Sequence, residues 1–253
     1  MTTVPPDILD LARDARRVTV LTGAGMSAES GIPTFRDAQT GLWTTVRPED
    51  LATPEAWHRD PPRVWAWYAW RTLAAGRCEP HAGHHALAEW EQQDGVTLRV
   101  VTQNVDDLHE RAGSTQVAHL HGSLFARKCD TCGDPHTAVP DLPEHPVDRL
   151  DPPDCPSCGL GQIRPDIVWF GEALDEGIFD VAVDAVRDAD LVVVVGTSGI
   201  VYPAAGLPGL AMRFGVPVVE INPHGSDLSH EVDHAWEVTA SVGLPALTAA
   251  LAG

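Results

Sequence analysis

Basic charge is scarce in this chain. Its 17 Lys and Arg stand against 36 Asp and Glu, a formal net charge of −19 over 253 residues. That balance argues against a nucleic-acid groove, which must neutralise phosphates, and against docking on an anionic membrane surface. It would suit basic protein partners, although an acidic surface kept for solubility accounts for it as well. Long apolar runs are missing too, none approaching the roughly 18 residues that span a bilayer. The opening MTTVPPDILDLARDARR has no basic stretch followed by an apolar core and does not read as a secretory signal. Residues 7–17 instead suit an amphipathic helix with Ile8, Leu11 and Ala15 on one side. Cysteine is sparse: the five are two Cys-x-x-Cys pairs and Cys78. Without an export signal the pairs speak for metal rather than a disulfide framework, and the expected location is the cytoplasm. Apolar residues, at 43%, suffice for one large α/β domain or a large domain with a smaller insert.

Residues 17–37, RVTVLTGAGMSAESGIPTFRD, organise the rest. Positions 18–21 read as a β-branched strand without alternation, as a strand buried on both faces does. It delivers the chain into Gly23, Gly25 and Ala28, which fit the G-x-G-x-x-G/A dinucleotide pattern. Glycine permits a tight turn and lets a pyrophosphate approach the backbone, while peptide N–H groups at the next helical turn face the phosphate oxygens. An ordinary glycine turn would look the same. Here, however, Gly31-Ile32-Pro33 halts the helix almost at once, and Phe35-Arg36-Asp37 follows in a Pro/Gly-bounded loop. An aromatic and a cation so placed suggest a loop that closes over the reactive end of a cofactor.

Further along, Thr53-Pro54-Glu55 has the N-cap, first-turn proline and acid of a helix start. Residues 61–76 read as a helix closed by Gly76, with Val64, Trp65, Trp67, Tyr68, Trp70 and Leu73 on more than one face, so part of it lines a cavity. Tyr68 and Arg71 are neighbours on that helix; from the residues alone they are a stacked surface pair or a ligand pair. Residues 81–94 form another amphipathic helix, whose His81, His84 and His85 read as surface histidines for want of matching metal ligands. A second buried strand, 96–101, empties into Gln103, Asn104 and Asp106. Polar residues at the carboxyl end of a parallel strand are where open α/β sheets bind ligands, though Asn and Asp also cap helices. A third strand, 117–123, puts His119 and His121 on one face, so periodicity cannot choose between them. His121, last before Gly122, is better placed to point into a site, and His119 reads as a core histidine. An imidazole suits acid–base work near neutral pH.

Cys129-x-x-Cys132 and Cys155-x-x-Cys158, each followed by glycine, form a zinc-ribbon pattern: four thiolates, a closed tetrahedral site, and therefore a structural role. Residues 163–172 contain a strand whose edge could take an extended peptide or simply continue the sheet. A helix at 174–187 precedes an apolar strand at 190–195 that ends in Gly196-Thr197-Ser198, and a strand at 216–221 ends in Asn222-Pro223. Both strand ends suit phosphate or ribose.

In this order GAGMSAESGIPTFRD, TQNVDDLHERAG, HLHGS, the paired Cys-x-x-Cys, GTSGIVYPAAGLP and INP closely resemble the sirtuins, the NAD-dependent protein-lysine deacylases. The resemblance covers residues 17–240. It implies that NAD is a co-substrate held by Gly23, Ala24, Gly25, Ala28, Glu29, Pro33, Thr34, Phe35, Arg36, Gln103, Asn104, Asp106, Gly196, Thr197, Ser198, Asn222 and Ala240. Within that set it places Asp106 on the nicotinamide carboxamide, Asn222 by the adenosine ribose and Ala240 by the adenine. It makes His121 the catalytic base and gives Val168, Phe170, Gly171 and Glu172 to the substrate peptide. Tyr68-Ala69-Trp70-Arg71 resembles the Tyr-x-x-Arg of the class III desuccinylases and demalonylases, in which hydroxyl and guanidinium hold the distal acyl carboxylate. A guanidinium can meet a carboxylate with two parallel charge-assisted bonds. Ala52 matches a small residue that leaves room for the longer acyl group.

The fold so implied is α/β: a Rossmann-like open parallel sheet from residues 1–37, 85–122 and 165–253, with a helical insertion at 38–84 lining the acyl pocket. A zinc-ribbon module occupies 123–164, and the active site is the cleft between. The function implied is removal of succinyl, malonyl and also acetyl groups from lysines of partner proteins, with one structural zinc ion and no nucleic acid or membrane partner. A mainly deacetylating enzyme or a protein ADP-ribosyltransferase on the same fold is the alternative. A non-enzymatic zinc-ribbon module for nucleic acid would need a basic patch that Arg127, Lys128, Arg149 and Arg164 scarcely supply.

Overall fold

A computed structural model describes residues 3–32, 50–137 and 144–253. In chain order the strands are β1 (Arg17–Thr22), β2 (Thr97–Thr102), β3 (Val117–His119), β4 (Gly122–Cys129), β5 (Ile163–Ile167), β6 (Leu191–Val195), β7 (Val218–Ile221) and β8 (His234–Trp236). The helices are α1 (Pro6–Asp14), α2 (Ala24–Ala28), α3 (Pro54–Arg59), α4 (Pro61–Arg77), α5 (Ala82–Glu91), α6 (Leu108–Ala112), α7 (Glu176–Arg187), α8 (Leu207–Arg213) and α9 (Ala240–Leu251). Six strands form one parallel sheet in the order β3-β2-β1-β6-β7-β8. β4 and β5 pair antiparallel as a separate ribbon.

The unalternating strands are explained by helices on both faces. Val18 and Val20 point into a core with Ile8, Leu87, Trp90, Leu244 and Leu247, supplied by α1, α5 and α9. Leu21, Val192 and Val194 point the other way, onto Ala182, Val186, Leu207 and Ala211 of α7 and α8. The LVVVV of β6 is buried throughout, and each such side chain contributes about 1.5–3 kcal/mol on leaving water. The chain builds outward from β1 through β2 to β3, then returns to lay β6 on the other side of β1. The order therefore reverses between β1 and β6, and a crevice opens beyond their carboxyl ends.

A second core joins α3 and α4 to the ribbon: Trp57, Val64, Trp65, Trp67 and Tyr68 pack with Leu124, Ile163, Ile167 and Trp169. Thr53 caps α3 through its hydroxyl, which accepts from the Ala56 N–H at 3.1 Å. The sequence-based boundaries shift in several places, beginning with the first helix, which ends at Asp14 and leaves Arg17 to open β1. Gly76 does not close its helix, which runs on to Arg77. The third strand stops at His119, because Leu120 and His121 turn the chain and Gly122 opens β4 instead. Residues 163–167 continue that ribbon and not the main sheet, with Gly122 facing Ile167 and Cys129 facing Ile163. Ala240 is the first residue of the last helix. No helix among the described residues is long and apolar enough to cross a membrane.

Candidate active site

The turns after β1 and β6 meet at the switch point. Gly25 N–H donates to the Gly196 carbonyl at 2.8 Å and Gly23 N–H to the Val195 carbonyl at 3.1 Å. A Cβ at Gly25 would sit 2.7 Å from the Gly196 oxygen, and one at Gly23 2.9 Å from it. The glycines are thus required by backbone meeting backbone, in addition to any approach by a phosphate. Met26 N–H is likewise engaged, by the Gly23 carbonyl, so fewer peptide donors face outward than the motif alone suggests. Around this turn stand Gln103 and Asn104 at the end of β2, Thr197 and Ser198 after β6, and Asn222 after β7. Gln103 Nε2 donates to Thr197 Oγ1 at 3.3 Å, and Asn222 Nδ2 to the Thr197 carbonyl at 3.0 Å. Ala24, Gly25 and Thr197 are half-buried and Ser198 is exposed, so a ligand can reach them. Glycines and polar side chains at the carboxyl ends of four parallel strands fit a dinucleotide. Ala28 and Glu29 lie at the far end of α2, where the Glu29 carboxylate accepts from the Ser241 hydroxyl at 2.6 Å and its N–H at 3.1 Å, beside Ala240. Pro33, Thr34, Phe35 and Arg36 lie outside the described residues.

Asn104 is buried and holds the turn from below, its amide donating to the Gly23 carbonyl and to Ser27 Oγ, both at 3.0 Å. It caps no helix. Asp106 does engage a helix end, accepting from Leu108 N–H at 3.2 Å, and burial raises its pKa. The two histidines separate by their acceptors. His121 Nδ1–H donates to the Gln103 carbonyl at 3.0 Å, which fixes the tautomer with Nε2 as the acceptor, and no described residue bonds to that nitrogen. Burial lowers its pKa, against the carbonyl's opposing effect, so the ring is neutral and basic at Nε2. His119 faces an acceptor at each nitrogen, the Asn104 carbonyl at 2.9 Å and Glu110 Oε1 at 2.7 Å. Burial pulls its pKa down, but Glu110 and the carbonyl together raise it. It is a half-buried ion-pair partner and not the plain core histidine expected.

The histidines in the first turn of α5 and at its N-cap are also not all on the surface. His85 is exposed, but His84 is fully buried. His81 caps α5, accepting from Gly83 N–H at 2.9 Å and donating from Nε2 to the Met26 carbonyl at 2.6 Å. It thereby ties α5 to the glycine turn. Amphipathic spacing missed this because the capping position lies outside the helical period.

On α4, Tyr68 is 2% exposed, and burial pushes its pKa up to about 12. The Arg71 guanidinium lies 4.8 Å from the Trp67 ring centre and 5.6 Å from that of Tyr68. Burial lowers its pKa, opposed by Tyr68 and Asp106. Among the described residues no carboxylate forms an ion pair with it. Ala52 is buried, and its carbonyl accepts from Phe170 N–H at 2.9 Å, while Val168 N–H donates to the His121 carbonyl at 3.0 Å. Residues 168–170 thus bridge Ala52 to the histidine. Phe170 and Gly171 are exposed, whereas Glu172 turns inward onto Arg164, with bonds of 2.6 and 3.0 Å, and onto Trp169 N–H at 2.8 Å.

The four paired cysteines converge. Their sulfurs all lie within 4.8 Å of one another, with Cys129 and Cys158 at 3.7 Å and Cys132 and Cys155 at 3.8 Å. These separations are too long for disulfides. Thr131 N–H points at Cys129 Sγ from 3.3 Å, as a knuckle does around a thiolate. A closed four-sulfur set fits structural zinc.

Residues 23–203 match the Sir2 family. The chain belongs to the Sir2 family. It is 52% identical over 240 residues to the NAD-dependent protein deacylase of Corynebacterium glutamicum, covering 94% of this chain and 93% of that one. Against the NAD-dependent protein deacylase of Mycobacterium tuberculosis it is 54% identical over 232 residues, covering 91% and 96%. Among solved structures, a Sir2 homologue in complex with NAD superposes with a TM-score of 0.90 at 41% identity, covering 99% of this chain and 95% of that one. A Sir2 homologue mutant with 2′-O-acetyl ADP-ribose gives 0.87 at 39% identity, covering 98% and 97%. In this Sir2 chain the sequence reading passed over Ser27, which is buried and bonded to Asn104, and Trp169 and Arg164, which stand behind Tyr68. Ser27 lies inside the glycine motif itself; Arg164 and Trp169 gave no sequence signal beyond their type.

Proposed function

We propose that this protein removes acyl groups from protein lysines with NAD as co-substrate, and that it prefers succinyl and malonyl groups to acetyl. The glycine turn, Gln103, Asn104, Thr197, Ser198 and Asn222 would hold the dinucleotide. Bound NAD would supply an anomeric carbon with nicotinamide as leaving group and a ribose hydroxyl to take the acyl group, so that with one water consumed the products are nicotinamide, O-acyl-ADP-ribose and free lysine. His121 accepts a ribose hydroxyl proton at Nε2, its ring held by the Gln103 carbonyl at 3.0 Å. Asn104 and Asp106 orient the nicotinamide end, and exclusion of water from the crevice adds to the rate. Val168, Phe170 and Gly171 receive the peptide backbone. The four cysteines would hold one zinc ion as a staple of the ribbon, and free thiols of this kind call for a reducing compartment such as the cytoplasm.

The observation that carries the acyl preference is Arg71. A half-buried guanidinium stacked on Trp67, beside the buried Tyr68 hydroxyl and with no described carboxylate paired to it, is a site prepared for an external carboxylate. The test is product analysis by mass spectrometry with NAD and succinyl-, malonyl- and acetyl-lysine peptides, for the wild type and Arg71→Met. The expected result is NAD-dependent release of nicotinamide and a succinyl preference that falls about tenfold or more in the variant. Equal turnover of all acyl groups, unchanged by Arg71→Met, would leave a plain deacetylase. ADP-ribose transferred to protein instead would identify a transferase.

A further inference from the structure

The Tyr68 hydroxyl is surrounded by donors. Trp169 Nε1–H donates to its oxygen at 2.9 Å, in a setting where both residues are buried. An indole nitrogen can only donate, and so can the neighbouring Arg71 guanidinium. Among the described residues nothing accepts the phenol's own proton. With one lone pair of the oxygen occupied by the indole, that proton is directed away from Trp169. An acyl carboxylate lying on Arg71 is chemically suited to be the acceptor of that proton.

Trp169 is itself held firmly. Its ring lies 5.7 Å from Trp57 and 6.2 Å from Tyr68, centre to centre. The Arg164 guanidinium carbon sits 3.3 Å from its ring centre, locked by both oxygens of Glu172, and Glu172 also accepts from the Trp169 N–H of the backbone. Trp57 in turn donates from Nε1 to Asp130 Oδ2 at 2.9 Å, beside the first cysteine knuckle. A side chain fixed from four directions is the kind of support that sets the geometry of a recognition group in front of it.

We propose that Trp169 is a positioning residue for acyl specificity: its indole N–H orients the Tyr68 hydroxyl so that the phenol donates to the distal carboxylate of the acyl chain. This rests on the acidic-acyl reading given above. It adds a residue behind the tyrosine–arginine pair and assigns Glu172 and Arg164 to holding that residue in place.

The experiment is a double-mutant cycle on Tyr68→Phe and Trp169→Phe, reading kcat and KM separately for succinyl- and acetyl-lysine peptides. Phenylalanine at 169 keeps the aromatic stack and removes only the N–H. Trp169→Phe should lower the succinyl-to-acetyl ratio of kcat/KM about fivefold, chiefly through a higher KM for the succinyl peptide. In the Tyr68→Phe background, where there is no hydroxyl to orient, it should lower the ratio no further. An equal fall in both backgrounds would make Trp169 merely structural and overturn the assignment. So would an unchanged ratio in a wild-type background whose preference Arg71→Met abolishes, and that result would leave the acidic-acyl reading standing. If the wild type shows no succinyl preference and Arg71→Met changes nothing, both fall together.

Discussion

His119 and His121 are two positions apart, yet one is drawn toward its protonated form by an ion-pair partner and the other is placed to act as a base. The difference lies in what faces the second nitrogen. In His119 both nitrogens meet oxygen acceptors, one of them the Glu110 carboxylate, which requires a proton on each. In His121 the single acceptor, the Gln103 carbonyl, takes the Nδ1 proton and leaves Nε2 open. His121→Ala should therefore reduce NAD-dependent deacylation by about 10²–10⁴-fold, while nicotinamide dinucleotide still binds in a calorimetric titration. The base must be neutral to act, and burial lowers its pKa. Activity should accordingly fall on the acid side with a midpoint below the ordinary histidine value of about 6.5, and hold steady above it. A midpoint at or above that value in the kcat/KM profile would contradict the assignment. Strand alternation could not separate the two rings, because it fixes the face on which a side chain lies and not the partner it meets. Gly122 was the one local sign in favour of His121. The surface reading of His84 failed for the same reason, since burial of a polar ring depends on what the helix packs against.

At the scale of elements, the strands and the glycine turn were the most legible parts. Runs such as LVVVV can be little else than a strand covered on both faces, and the motif placed a turn at 23–25. Less legible were the places where elements from distant parts of the chain meet. Gly25 and Gly196 are in backbone contact, although the sequence alone justified the first by phosphate binding and the second by its strand end. The ribbon strand at 163–167 was read into the main sheet because pairing with β4 is set by the cysteine knuckles, and apolar pattern does not record a partner. The turn-to-turn contact has a measurable consequence. Gly25→Ala would put a methyl 2.7 Å from the Gly196 oxygen, against backbone that can yield only by moving the whole turn. It should destabilise the fold by about 1–3 kcal/mol in urea unfolding and weaken NAD binding as well. Gly133→Ala is the contrast. With nothing within 4 Å of the added carbon and a φ of +76°, it should cost about 1 kcal/mol, through backbone strain alone. Equal effects of the two substitutions would mean that the contact with Gly196 is not what demands glycine.

For the molecule as a whole, the buried histidines behind the nucleotide turn make the packing of α5 and α6 against β1 sensitive to acid. His84 and His109 are buried, 5.0 Å apart by ring centre, and His109 Nε2 lies 3.2 Å from Thr22 Oγ1 at the end of β1. Burial, reinforced by the neighbouring histidines, takes the His84 pKa down to about 2, and burial takes that of His109 to about 4. Both rings are therefore neutral in the folded protein throughout the mildly acidic range, while in the unfolded chain they take up protons below about pH 6.5. The unfolded state then binds more protons than the folded one, so stability falls as pH drops from 6.5 toward 4. At pH 5 each histidine costs about 2 kcal/mol by this linkage. His119 works in the opposite sense, because its raised pKa adds stability below the unfolded value. Carboxylates with lowered pKa, such as Asp190 at about 2, lose their contribution only at pH values below this window. Unfolding free energy should fall between pH 7 and pH 5, with His84 and His109 each contributing about 2 kcal/mol to the fall and His121, whose pKa burial also lowers, acting in the same sense, measured by urea unfolding at the two values with the metal retained. A stability that is flat or rising over that interval would mean that the two rings are charged or solvated in the folded protein, and the buried contact between α5, α6 and the nucleotide turn would have to be redrawn.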